Sequence, residues 1–227
     1  MPDLNFQVET VAPLRNAAVP TLVFKLRTTN STAEAIHTAL LSCQIMLEVT
    51  RRRYSAEEQD KLVELFGKPE LWDRSLQNLF WTNVGVTVHA FSGSTIVDLN
   101  VPCTFDVTVA ATKYFAGLEE GDVPLLLLFS GTVFYAAENS ALQVTQIPRE
   151  KEAIYRLPVC VWQEMMDIYY PNSVWLNLRR DVFERLNRYK MKRGIPTFDQ
   201  VLERVIPDVN LENGLPQTKD SGGEKIH

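Results

Sequence analysis

Glycine is scarce in this chain, ten in 227 residues. Neither G-x-G-x-x-G nor G-x-x-x-x-G-K-[ST] precedes a helical pattern, so no phosphate-cradling loop is expected. Cysteine is scarcer still. Cys43, Cys103 and Cys160 stand 60 and 57 residues apart, which excludes a readable disulfide framework or zinc knuckle and predicts buried free thiols. Long apolar runs are also missing: the longest, Val123 to Phe129, is far too short to span a bilayer. The opening MPDLNFQVET carries acids early and no basic-then-apolar leader, which makes the reduced, soluble cytoplasm the expected location and no membrane span expected. Positive charge does not dominate, with 23 Lys+Arg against 28 Asp+Glu and a net charge of -5. Nucleic acid is therefore not expected as a general partner.

What remains is ordinary globular material, 45% apolar and 22% charged, long enough to bury a sizeable core. Period-two patterns predict strands at Leu4 to Val11, Thr21 to Asn30 and His37 to Val49; in the last, His37, Ala39, Leu41, Cys43, Ile45, Leu47 and Val49 oppose a polar even face. Ser55 with Glu58 is a capping box opening a helix that Gly67 stops in a left-handed turn. A second short helix is predicted over Glu70 to Phe80. Strands resume at Val84, Val86 and Val88, turn at Ser92-Gly93-Ser94, and continue with one or two more between Thr95 and Thr112, where Pro102 marks an edge or a bulge. Val123 to Tyr135 reads without polar alternation, as a central strand covered on both faces. Leu142 to Ile147 and Ala153 to Leu157 read as a closing hairpin.

Pro158 opens a helix over Val159 to Tyr169. Ser173 is expected to cap a long helix with an apolar stripe of Trp175, Leu178, Val182, Leu186 and Tyr189, which Gly194-Ile-Pro196 ends. Thr197 and Gln200 form a further capping box. The expected architecture is α+β: a twisted antiparallel β-sheet with a helical insert at 55–80 and C-terminal helices at 158–206 packed on one face or end. Residues 1–206 form one domain in this reading, and 207–227 a flexible tail.

Chemistry-bearing residues do not converge along the sequence. His37 and Cys43 share a strand face but stand ~20 Å apart, too far for one metal ion, and no metal or other cofactor is predicted. His89 has no partner at ligand spacing. Ser92 and Ser130 are each followed by one glycine and run on into strand, unlike a nucleophile elbow. Glu164 with Asp167, and Glu119-Glu120 with Asp122, offer carboxylate pairs that read as solvated charge.

The unusual charge feature lies near the C-terminus, where seven of the fifteen residues from 179 to 193 are basic: Arg179, Arg180, Arg185, Arg188, Lys190, Lys192 and Arg193. Asp181 and Glu184 intervene as local pairs. With Arg51-Arg52-Arg53 these residues suggest an anion-binding or acidic-partner surface. Trp162, Tyr169, Tyr170, Trp175, Phe183 and Tyr189 concentrate in the same region, and Trp, Tyr and Arg dominate binding hot spots. Arg179, Arg180, Arg185, Arg188, Lys192, Arg193, Tyr170 and Trp175 are the candidate partner-binding residues.

Val101-Pro-Cys-Thr-Phe-Asp-Val, Ala110-Ala-Thr-Lys-Tyr-Phe, Val123 to Tyr135, Tyr155-Arg-Leu-Pro158, Tyr169-Tyr-Pro-Asn172 and Gly194-Ile-Pro-Thr197 together resemble an uncharacterised bacterial family, a domain of unknown function. Genes of that family often lie near those of nickel-iron hydrogenases, so the resemblance implies an accessory or assembly role, with a hydrogenase subunit or maturation factor as partner. It supplies no catalytic residues. A weaker likeness is to the export chaperone SecB, through Tyr169-Tyr170-Pro171-Asn172, Arg179 or Arg180, and Arg193-Gly194. The chain departs from that pattern in lacking the cysteine of the turn and in its helices at 55–80. The expectation is a non-enzymatic, chaperone-like interaction protein that docks a polypeptide, with homo-oligomers possible through a strand edge. The alternative is a small-ligand-binding or enzymatic domain with a cavity between sheet and long helix.

Overall fold

Alternating side chains, buried then exposed, build about half of the first 160 residues into strands. The computed structural model describes residues 1–105, 109–136, 141–173 and 176–206. It divides into two compact units, Met1–Val174 and Trp175–His227.

In the first unit, β1 (Leu4–Pro13), β2 (Thr21–Asn30) and β5 (Ser94–Pro102) form a three-stranded antiparallel sheet in the order β1-β2-β5. A second antiparallel sheet runs β4 (Leu79–Val88), β3 (Ile36–Leu47), β6 (Asp122–Ala136), with β7 (Leu142–Gln146) and β8 (Glu152–Pro158) both paired to β6. The fold class is thus the expected α+β with antiparallel strands, gathered into two sheets whose inner faces meet. Phe6 of β1 stacks on Phe129 of β6 at 4.2 Å between ring centroids. Phe24 of β2 meets Trp81 of β4 edge-on at 6.3 Å. Leu22, Phe24, Leu26, Cys43, Ile45, Leu125 and Leu127 line this seam fully buried, and such burial of aliphatic and aromatic area is the main force joining the sheets.

Helix α1 (Ala56–Phe66) forms where the capping box predicts: Ser55 Oγ accepts from the Glu58 N–H at 3.1 Å, and Glu58 accepts in return from the Ser55 N–H at 3.2 Å. Gly67 has φ 78 but ψ -167, positive yet outside the left-handed helical basin expected. The second predicted helix shrinks to a 3-10 turn at Pro69–Leu71 and a single turn, α2 (Trp72–Ser75). Chain from Leu79 joins β4 instead, because pairing with Leu47 and Met46 of β3 satisfies its backbone. A strand expected before Thr112 is in fact α3 (Val109–Ala116), which buries Ala111, Tyr114 and Phe115. Pro102 ends β5, and β5 is an edge strand. The predicted hairpin at 142–157 does not exist; its two strands sit end to end along the same edge of β6.

Strand β6 is central, as expected, but it is not covered on both faces. Val123, Leu125, Leu127, Phe129 and Val133 are buried, while Leu126, Leu128 and Thr132 are half-buried and Ser130 is exposed. His37, expected on the buried face of β3, is exposed because the register shifts between Ile36 and Thr38. Helix α4 (Val159–Tyr169) follows Pro158 as predicted and packs against β1, β2 and β8. Its Tyr169 hydroxyl donates to Leu14 O at 2.6 Å and accepts from the Ala17 N–H at 3.0 Å, tying the helix to the turn after β1.

In the second unit, α5 (Arg180–Arg193) starts later than predicted, and Ser173 does not cap it. The N-cap is Arg179, which makes no side-chain capping bond. Gly194 closes the helix in the left-handed conformation, φ 64 and ψ 31, as expected. Thr197 caps α6 (Phe198–Val205), accepting from the Gln200 N–H at 3.3 Å. The expected tail at 207–227 lies outside the described residues. No helix among the described residues is long and apolar enough to cross a membrane.

Candidate functional sites: a basic helix and a charged cleft

Helix α5 carries most of the sequence-predicted partner residues. None of its fourteen residues is buried, an unusual state for a helix, whose stability normally comes from packing an apolar face. Arg180 pairs with Glu184 at 3.1 Å, and Arg179, just before the helix, with Asp181 at 3.0 Å. Lys190 sits 5.4 Å over the Phe198 ring, and Arg193 5.8 Å over Tyr189. Among the described residues Arg185, Arg188, Lys192 and Arg193 have no carboxylate partner. Arg185, Arg188 and Lys192 follow at i, i+3 and i+7, which lines three unpaired cations along one side of the helix. Met191, 71% exposed, borders this row, whereas Phe183, 44% exposed, lies on the opposite side of the helix with its ring 5.4 Å from that of Phe198.

Two predicted members do not share this helix. Tyr170 caps α4 in the first unit and is half-buried. Trp175 lies outside the described residues.

Arg51, Arg52 and Arg53 belong to the first unit and line an open cleft of about 590 Å³. The end of β3, the start of α1, the loop after α3 and strand β8 converge there. Both signs of charge line it: Arg51, Arg53 and Arg156, with Glu119, Glu120 and Asp122. At its base Arg52 is held from several sides. Its Nη2 donates to Glu58 Oε1 at 2.8 Å and also to the Glu120 carbonyl, and its guanidinium lies 5.3 Å from the Tyr54 ring centroid. Arg52 Nη1 is buried without a hydrogen-bond partner among the described residues. Tyr54 donates to Val49 O at 2.7 Å, and its oxygen lies 2.9 Å from that of Tyr114; burial raises both phenols above their usual range. Burial also disfavours the Glu58 carboxylate, but the Glu119 N–H, Arg52 and the Ser55 N–H outweigh it and hold the group below its ordinary pKa. Sequence reasoning had Arg51, Arg52, Arg53 and the acids at 119–122 but could not bring them together, since they lie up to 71 residues apart along the chain, and it did not single out Arg156.

The other candidates stay apart. Glu164 pairs with Arg15 at 3.3 Å on the surface. Ser92 and Ser130 are exposed, and among the described residues neither is hydrogen-bonded to a histidine or carboxylate. No group of three or more His, Cys, Asp or Glu among the described residues is placed to hold a metal. Cys43 and Cys103 are buried as expected, but Cys160 on α4 is exposed, because it falls on the helix side opposite Val159 and Trp162. Within the first unit, Leu125 and Leu127 pack without exposure.

Several solved structures share a distant likeness. The CARDB domain of the PF1109 protein from Pyrococcus furiosus, solved in complex with di-metal ions, is 11% identical over 69% of this chain and 91% of its own, with a TM-score of 0.25. The ApaA protein from Bordetella pertussis is 13% identical over 69% and 94%, with a TM-score of 0.26. A late embryogenesis abundant protein is 13% identical over 70% and 73%, with a TM-score of 0.29. Superpositions at this level establish neither a common fold nor a common activity. No curated protein matches the chain. A family model described as a family of unknown function (DUF6084) matches residues 1–213, and the chain belongs to that family.

Proposed function

We propose that this chain is a non-enzymatic interaction protein that captures an acidic surface of a partner polypeptide through α5. The observation that carries the reading is that α5 buries none of its residues while presenting a row of cations without carboxylate partners among the described residues, bordered by exposed Met191. Exposed arginines without carboxylate partners match the composition of protein-binding hot spots. The cleft supports a small-ligand reading less well. Its volume is in the range of ligand sites, but its charges of opposite sign leave no excess to select an ion. The hydrogenase link and the SecB likeness rest on sequence resemblance; they make hydrogenase subunits and maturation factors the first partners to test.

Replacing Arg185 and Arg188 together by Glu should weaken capture by about 2 kcal/mol or more and leave the circular dichroism spectrum and melting temperature unchanged. The measurement is affinity purification of tagged protein from its native cells at low and high salt, with mass spectrometry of what co-elutes. A partner lost both at high salt and in the double variant supports the reading. Equal recovery by the folded double variant removes α5 from it.

A further inference from the structure

The outer faces of the two sheets differ in kind. That of β1-β2-β5 sets exposed Ile96 among paired charges: Lys25 bonds Asp98 at 2.7 Å, and Arg27 pairs with Glu9. The outer face of the second sheet instead carries an apolar row that crosses four strands. The registers Phe80↔Met46, Met46↔Leu126 and Leu126↔Ile154 put these side chains side by side on β4, β3, β6 and β8. Phe80 is 49% and Ile154 59% exposed, with Met46, Leu126 and the neighbouring Leu128 half-buried. A contiguous apolar row of this kind marks a candidate interaction surface.

Charge indicates what covers it. Glu152 and Arg156 stand two residues either side of Ile154 on β8, so they share its face. Both are exposed, and neither has an ion-pair partner among the described residues. A second apolar group on the same face, Leu40, Leu142 and Val144, lies beyond the Ser42–Asn83 hydrogen bond and has no such flanking charges among the described residues.

We propose that this face is a self-association surface, which joins two copies of the chain face to face about a two-fold axis running along the Phe80–Met46–Leu126–Ile154 row. A two-fold axis lying in the interface and across the strands sets each strand antiparallel over its own copy. The apolar row then packs on itself, and Glu152 of one copy faces Arg156 of the other, twice per dimer. An acidic or a basic foreign partner would satisfy only one of the two charges, whereas a second copy satisfies both. The patch is small: four strands at about 4.8 Å and five residues at about 3.4 Å span roughly 19 by 17 Å. The dimer is accordingly weak, with dissociation on the order of 100 µM.

Sedimentation velocity of the full chain from about 10 µM to about 1 mM brackets that value. The expected result is a reversible monomer–dimer equilibrium that Ile154→Asp abolishes without changing the melting temperature. Glu152→Arg and Arg156→Glu should each weaken association about tenfold, because each sets like charges face to face. Mixing those two single variants should restore association as a heterodimer, and so should combining both changes in one chain. A chain that stays monomeric throughout, a dimer indifferent to Ile154→Asp, or single variants that mixing fails to rescue each overturns the proposal.

Discussion

Arg52 and Glu58 form an ion pair, 2.8 Å between Nη2 and Oε1, with only 8% and 4% of their side chains exposed. The pair joins the end of β3 to the first turn of α1. Because Glu58 also accepts from the Glu119 N–H at 3.0 Å, and Arg52 donates to the Glu120 carbonyl, it fastens the loop after α3 as well.

Removing one member of a buried pair strands the other charge, which is the costly way to lose such an interaction. Arg52→Ala should therefore destabilise the chain by about 3 kcal/mol in urea denaturation. Arg53→Ala, next door, exposed and unpaired among the described residues, should stay within about 0.5 kcal/mol of wild type. Equal effects at the two positions would contradict the role given to Arg52.

The pair also predicts an acid limb. The Glu58 pKa is lowered from 4.5, so the folded state binds its proton less readily than the unfolded chain. Its contribution is complete above the ordinary carboxylate range and is lost as pH falls through the lowered value. Urea midpoints for wild type and Glu58→Gln should differ most near neutral pH and converge once pH drops below 4.5. A gap that is constant with pH would place the stabilisation elsewhere.

Thiol chemistry should separate the cysteines. Burial pushes the Cys43 and Cys103 thiols up to about 12, while Cys160 is exposed. The thiolate is the reactive form. A chromogenic disulfide reagent should therefore modify one thiol rapidly in the native protein, Cys160, and all three after denaturation. Loss of the fast phase in Cys160→Ser identifies it.

Gly131 sits inside β6 with φ 145, and a Cβ built there would lie 2.0 Å from the Leu40 carbonyl oxygen. No rotamer relieves a clash between a Cβ and a neighbouring strand's backbone. Gly131→Ala should cost on the order of 3 kcal/mol, whereas Gly93→Ala, with no atom within 4 Å of its Cβ, should cost less despite its φ of 70. Thermal melts of the two variants give the comparison.

The elements legible from the chain itself are those whose signals are local. The Ser55/Glu58 capping box, the Pro158 start of α4, the Gly194 stop and the alternation in β1, β2 and β3 all draw on residues within one turn or one pleat of each other, so neighbours in sequence suffice to read them. Misreadings came where distant contacts overrode that signal. Val109 to Phe115 has the β-branched and aromatic content of a strand, but Tyr114 and Phe115 find their partners in Phe66, Trp81 and Trp162, which only a helix at that place can reach together. The apolar run of β6 conceals an alternation, because leucines on its outer face meet the incomplete cover of a sheet surface.

Function divides in the same way. The basic character of residues 179–193 is a matter of composition, visible before any fold. That α5 buries none of its residues depends on packing. The cleft at Arg51–Arg53 and the Phe80–Met46–Leu126–Ile154 row each join segments far apart along the chain. By itself, the sequence determined the α+β class, the local caps and stops and the position of the basic segment, since each follows from backbone propensity and side-chain period over a few residues. Only the tertiary structure decided that there are two sheets, which face of the second is left apolar and which charges are neutralised, because strand register and burial are settled between residues that meet only on folding.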